Sequence, residues 1–155
     1  MKIFPENDYS FELNNDSSIA ISKLENQTLS KEQFVTNFNN QAFIGKIDKN
    51  EFKINLSKKL FGKVCVLSGN LENEKGSLKI RTGKIFKIIF VAFFIFTISG
   101  IVSSIIQGKS QIIINLILSI IVIRFIILEL AFRLISNNAI NQLTEIIEIK
   151  KITKI

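Results

Sequence analysis

The chain has no histidine and a single cysteine, Cys65, among its 155 residues. Without an imidazole, His-based proton shuttles, Ser-His-Asp triads and the common His-containing zinc sites are excluded. One thiol makes neither an internal disulfide nor a CxxC centre, and a lone cysteine fits a reducing compartment. No Gly-rich stretch matches the P-loop or dinucleotide fingerprints. The carboxylate pair Glu72/Glu74 flanks a predicted turn, where solvated charge is far commoner than acid–base work. Ser68 with Lys63 remains as a Ser/Lys option that no arrangement recommends. The chain is therefore read as a non-enzyme, with no catalytic, cofactor-binding or metal-ligating residue and no cofactor expected. The opening MKIFPENDYSFEL lacks the apolar core of a secretory signal peptide, so the first apolar run downstream is expected to serve as the targeting signal.

That run is the chain's most prominent feature. Ile88–Gln107 carries no charge, and a second run, Ile112–Phe132, follows after the short break Gly108-Lys109-Ser110-Gln111. A bilayer core of about 30 Å needs roughly 20 apolar helical residues, and both runs meet that length. The sequence predicts a membrane hairpin over 85–135, with spans of about 86–107 and 111–134. A polar α+β domain over 1–84 precedes it and an amphipathic tail helix over 136–155 follows.

Charge is unevenly placed. Residues 41–87 hold eleven Lys or Arg against four acids, net +7, whereas residues 1–40 are net −3. Lys75, Lys79, Arg81, Lys84 and Lys87 precede the first run, and Arg133, Lys150, Lys151 and Lys154 follow the second, while the hairpin loop carries only Lys109. Basic residues close to a span are retained in the cytoplasm, which predicts a multi-pass inner (plasma) membrane protein with both termini cytoplasmic. Lys79, Arg81, Lys84 and Lys87 are also a candidate surface for anionic headgroups. Nucleic acid is not expected as a partner, since no motif or aromatic–basic interleaving supports it.

In the polar half, Tyr9–Leu13 reads as a short strand. Asp16–Gln27 is read as a helix capped by Asp16, although Ile19 and Ile21 also alternate as in a strand. Residues 26–40 read as a loop with a turn of helix around Lys31–Phe34. Phe43, Gly45 and Ile47 alternate with Ala42, Ile44 and Lys46 up to the turn Asp48-Lys49-Asn50, and Phe52, Ile54 and Leu56 alternate beyond it, which is a hairpin signal. Lys63–Glu72 and Leu78–Thr82 form a second hairpin around Asn73-Glu74-Lys75-Gly76. The expectation is an antiparallel meander of four to five strands. Its apolar face needs a cover: the N-terminal helix, the membrane surface, or a tail helix capped at Asn137 or Asn138. Such a tail helix would align Ala139, Leu143, Ile146 and Ile147 and end at Lys150 and Lys151, where cations suit the helix dipole.

The succession F-I-G-K-I-D-K-N-E-F-K-I from Phe43, then Leu67-Ser68-Gly69-Asn70-Leu71, then a span starting just after Lys84 resembles a family of small uncharacterised bacterial membrane proteins. Their pattern is F-x-G-x-[IV]-x-x-x-x-F-x-[IL], a strand like [VL]-x-G-x-[IL], two adjacent spans and a short tail helix. The resemblance covers roughly residues 8–150. The chain departs from it in two places. Only Lys58-Lys59-Leu60-Phe61 stands where the family often places basic and aromatic residues, and Gly83-Lys84-Ile85-Phe86 stands where it often has a histidine-proline pair. The family has no established activity, so the resemblance implies a fold and no site residues.

Within the hairpin, Ser99 with Ser103 and Gly100 with Ser104 are two small-xxx-small pairs that let helix backbones approach. A turn centred near Lys109 and Ser110 places Gly100 near Ser119, Ser104 near Asn115 and Arg124 near Ile95. Arg124 then sits close to the midplane with no acid on the first span to meet it. Glu129 is five residues on, about 140° around an α-helix, and Glu129 with Arg133 is the better-spaced pair. Three readings of Arg124 stand: it snorkels to the headgroups, it pairs with Glu129 of a neighbouring protomer or partner helix, or it lines an ion or substrate path in an oligomer. The leading functional expectation is a membrane-anchored adaptor. The alternative is an oligomeric channel or transporter accessory subunit using Arg124 and Glu129.

Overall fold

The structure is a computed structural model that describes residues 3–30, 41–57 and 62–155; the helical turn expected at Lys31–Phe34 and the segment Lys58–Phe61 lie outside them. The chain folds as α+β, with one mixed sheet and two long apolar helices. In chain order, β1 (Glu6–Leu13) is followed by α1 (Ser17–Asn26), β2 (Thr28–Ser30), β3 (Phe43–Asp48) and β4 (Glu51–Leu56). After a 3-10 turn at Gly62–Val64 come β5 (Cys65–Glu72), β6 (Lys75–Thr82) and α2 (Lys84–Ile106). A second long helix then runs from α3 (Ser110–Val122) through a π-helical turn (Ile123–Ile127) into α4 (Leu128–Ile147), and β7 (Ile149–Lys154) ends the succession.

Among the described residues the sheet has seven strands in the order β2-β3-β4-β5-β6-β1-β7, which corrects the expected four to five. The two additional strands come from segments with no alternation strong enough to announce them. Thr28–Ser30, read as loop, pairs parallel with β3, and Ile149–Lys154, read as the end of a tail helix, pairs antiparallel with β1. The β3–β4 and β5–β6 hairpins form as the turn chemistry predicts, with Lys49 and Asn73 in the left-handed backbone region.

The helix over Asp16–Gln27 forms because Asp16 caps it. Its Oδ1 accepts the Ser18 N–H at 2.8 Å, and that bond holds the carboxyl below its usual range. The apolar positions Ala20, Ile21 and Leu24 are then buried against the sheet. The tail, by contrast, starts no new helix at Asn137 or Asn138. Those residues lie within α4, which continues the second apolar run without a break and buries Leu128, Phe132, Ser136, Ala139, Leu143 and Ile147 along one side. Lys150 and Lys151 consequently lie on β7 rather than at a helix end.

Glu148 makes the corner between α4 and β7 at a left-handed φ of 56°. Its carboxylate accepts from Lys23 Nζ at 2.6 Å and from the Asn15 side-chain amide. Its backbone carbonyl accepts the Asn14 N–H at 3.1 Å. One residue thereby ties α1, α4 and the last strand together. The inward sheet positions Phe11, Leu13, Phe43, Phe52, Ile54, Leu67, Leu71, Leu78 and Ile80 form one core with α1 and α4.

Candidate functional site

The residues with the strongest chemical character lie where the sheet meets the two apolar helices. Gly83 joins β6 to α2, and its N–H donates to Val64 O at 2.6 Å. A Cβ there would run into the Lys63 carbonyl, so only glycine allows the 3-10 turn to close against the start of α2. On the other side, the Cys65 thiol donates to Phe132 O at 3.9 Å, and burial pushes that thiol up to about 12. Cys65 pairs with Thr82 across β5–β6. The start of α2 and the Phe132 turn of α4 are therefore at one level.

Further along the hairpin, Leu116 Cδ1 lies 3.2 Å from where a Cβ on Gly100 would stand. Gly100 faces Leu116 rather than Ser119, about one helical turn from the expected register. Of the small residues expected to pack the hairpin, Gly100 lies against Leu116 and Ser104 is buried, whereas Ser99, Ser103 and Ser119 are exposed. The physical reason is rotation: the buried positions Thr97 and Ser104 are seven residues apart and fix the covered side of α2. Ser103 precedes Ser104 by one residue, so it points about 100° away from that side. Its hydroxyl instead accepts from Gln107 Nε2 at 3.0 Å on the outer surface.

The Ser104 and Ser119 hydroxyls donate back to the carbonyls of Gly100 and Asn115, each at 2.8 Å. This satisfies each hydroxyl within its own helix. α2 buries Thr97 in the same way, its hydroxyl donating to Phe93 O at 2.8 Å.

Arg124 lies inside the π turn. Its Nη1 is 3.8 Å from Glu129 Oε2, and its guanidinium lies over the Phe125 ring, 5.3 Å from the centroid. In a regular α-helix the i, i+5 spacing points these two side chains well apart. A π turn closes its hydrogen bonds at i→i+5 and so brings that spacing onto one side. The partner that the α-helical spacing withheld is supplied within the same helix, and no ion pair among the described residues joins Glu129 to Arg133. The Arg124 side chain is 14% exposed and that of Glu129 56%.

The π turn has a second consequence. On α3 the partly covered residues are Ile113, Leu116 and Ile120. Continued as an unbroken α-helix, the buried stripe of α4 would be centred about 140° from that seam. One extra residue in a turn removes about 100° of this difference and leaves about 40°. The π turn therefore lets one helix face α2 in its first part and the sheet in its last.

The four predicted surface cations have different surroundings. Arg81 is locked on the sheet: Nε lies 2.9 Å from Glu6 Oε2 and Nη1 2.9 Å from Asp8 Oδ1. β1–β6 pairing, which sets Glu6 opposite Arg81 and Asp8 opposite Lys79, produces this arrangement. Lys79 belongs to the open face of the sheet, in a cross-strand row Lys46–Lys53–Ser68–Lys79. Ser68 stands between two lysines there, and its hydroxyl donates to Lys79 O at 3.4 Å. Lys84 and Lys87 alone lie at the helix junction, Lys87 Nζ sitting 5.3 Å above the Phe4 ring. No sequence signal marked Phe4, Phe132 or the π turn, because each acquires its role through contacts distant in the chain.

Comparison with known proteins finds no matching family model, no matching curated protein and no matching solved structure.

Proposed function

We propose that this chain is a non-enzymatic membrane-anchored adaptor of a bacterial inner membrane. In this reading the two apolar helices span the bilayer, both ends face the cytoplasm, and the sheet offers its open face to a partner. The observation that carries the reading is the 38-residue helix Ser110–Ile147. Its first half is apolar and exposed nearly all round, and its last half is the core helix of the sheet. In each of the two long helices only 6% of the most apolar window is buried, whereas the core helix of a soluble protein is mostly covered. Exposed apolar surface on that scale calls for a lipid or protein cover. The sheet-and-hairpin order also agrees with the architecture implied by the family resemblance.

On this reading Arg124 is not central in the bilayer. Between the Gly100–Leu116 contact and the Gly83–Phe132 level, the two helices advance by almost the same number of residues. At about 1.5 Å per residue, that sets Glu129 level with Lys87 and Arg124 about 7 Å deeper. A guanidinium at that depth, already met by Glu129, reaches the cytoplasmic headgroup zone by snorkelling. The open face, with its row of Lys46, Lys53 and Lys79, suits an acidic partner segment.

Alkaline extraction tests the anchor: the protein stays in the membrane pellet, and release into the supernatant would sink the idea. A photo-crosslinker at Lys53 in native membranes tests the adaptor. A discrete protein adduct that disappears in K46E/K79E supports it, and no adduct at any open-face position removes it. The half-exposed Glu129 favours a second reading, a homo-oligomer or unknown membrane partner paired through Arg124 and Glu129. Crosslinking of wild type against Arg124→Leu and Glu129→Leu decides that one, because a wild type that forms no adduct with itself or with another membrane protein, together with variants that insert and accumulate normally, eliminates it.

A further inference from the structure

We infer that the junction between sheet and hairpin is a binding collar for anionic phospholipid headgroups, formed by Lys63, Lys84, Lys87 and Arg133; this rests on the membrane-anchored reading above. The four come from three separate parts of the chain. Lys63 belongs to the 3-10 turn whose carbonyl abuts Gly83. Lys84 and Lys87 are in the first turn of α2. Arg133 follows Phe132, which the Cys65 thiol contacts. Lys63, Lys84 and Arg133 are exposed and Lys87 is half-buried.

The acids near this level are already engaged. Glu129 meets Arg124, and Glu6 and Asp8 meet Arg81. No ion pair among the described residues engages Lys63, Lys84, Lys87 or Arg133, so these four keep a net positive field directly below the exposed apolar belt that begins at Ile85 and Ile88. Phe4 adds an aromatic at the same level, packed edge-on against Phe90 at 5.5 Å and capped by the Lys87 ammonium. Cations placed between an apolar belt and a polar domain are the composition that suits an anionic headgroup layer. The charge complement of four cations there is a lipid phosphate bearing a net negative charge.

Native mass spectrometry of the full-length protein released from nanodiscs of mixed phosphatidylcholine and phosphatidylglycerol tests this. The wild type is expected to retain phosphatidylglycerol in excess of its share of the disc. Lys87→Gln is expected to lower that enrichment about fivefold, and the fourfold variant K63Q/K84Q/K87Q/R133Q to abolish it. The conservative variant K63R/K84R/K87R should keep the enrichment, which guards against a loss caused by misfolding. K46Q/K53Q/K79Q, which strips the open face, should also keep it. Enrichment that survives the fourfold variant, or that is lost only with the open-face variant, overturns the collar. A protein that inserts into discs of either lipid without selecting phosphatidylglycerol overturns the collar alone. A protein that inserts into neither overturns the anchored reading beneath it.

Discussion

Single residues at crossing points set much of what this chain can do. Gly100 is one, because Leu116 occupies the space a side chain would need. Gly100→Leu should loosen the hairpin, seen as lost disulfide formation between cysteines placed at Ser104 and Ile113. Ser99→Leu and Ser103→Leu, on the outward face, should leave it intact. Glu148 is another. Lys23, by hydrogen bond and charge, together with the Asn15 amide, holds its carboxyl below the usual range. A carboxyl lowered in the folded state contributes stability above its unfolded value, and that contribution is lost as pH falls through the folded one. Thermal unfolding followed from neutral pH down to about pH 3 should show this acid limb, and Glu148→Gln should flatten it while lowering stability at neutral pH. Cys65, pushed up to about 12 by burial, should resist iodoacetamide in the native protein at neutral pH and react once denatured.

Elements add a constraint that residues alone do not carry. α3 and α4 are one helix serving two surfaces, and the π turn between them sets their relative rotation. Deleting Ile126 should restore an α-helical turn and rotate the α4 stripe by about 100° relative to α3. The expected result is loss of cooperative unfolding and ready proteolysis of the sheet, while the apolar helices still partition into membranes. Truncating the stripe tests its weight directly. Phe132 is 2% exposed, and Phe132→Ala should cost about 3–5 kcal/mol in a denaturant titration. The same scale explains why the Arg124–Glu129 pair was hidden. Its spacing fits a π turn, and nothing in the local sequence Ile123–Ile127 signals one. The hairpins β3–β4 and β5–β6 were legible for the opposite reason. Their turn residues and their period-2 alternation are local, and they act before any tertiary contact forms.

At the scale of the whole molecule, the sheet is not finished before the second apolar run ends. The elements from Leu128 onward supply α4, which shares the cover of the sheet with α1, and the strand β7, so residues 1–84 alone lack both. Such a fragment should be protease-sensitive and show no cooperative thermal transition. Residues 3–83 joined to 128–155 by a short Gly/Ser linker should instead give a soluble domain with a cooperative transition by circular dichroism. The short linker suffices because Gly83 and Phe132 lie at one level. An unfolded product would contradict the placement of α4 against the sheet.

Apolar run length and turn chemistry were enough, read along the chain, to establish two long apolar helices and two β-hairpins, since each depends on residues within a few positions of one another. Asp16–Gln27, by contrast, carried a helix cap and a strand-like alternation together and was decided by its packing. The tertiary structure alone decided the sheet's full width, the tail's return as β7, the register of Gly100 against Leu116, which of the hairpin serines face the seam, and the partner of Arg124. These follow from packing between segments distant in sequence. There, burying the α4 stripe against the sheet outweighs the local preference of Asn137 and Asn138 to begin a new helix.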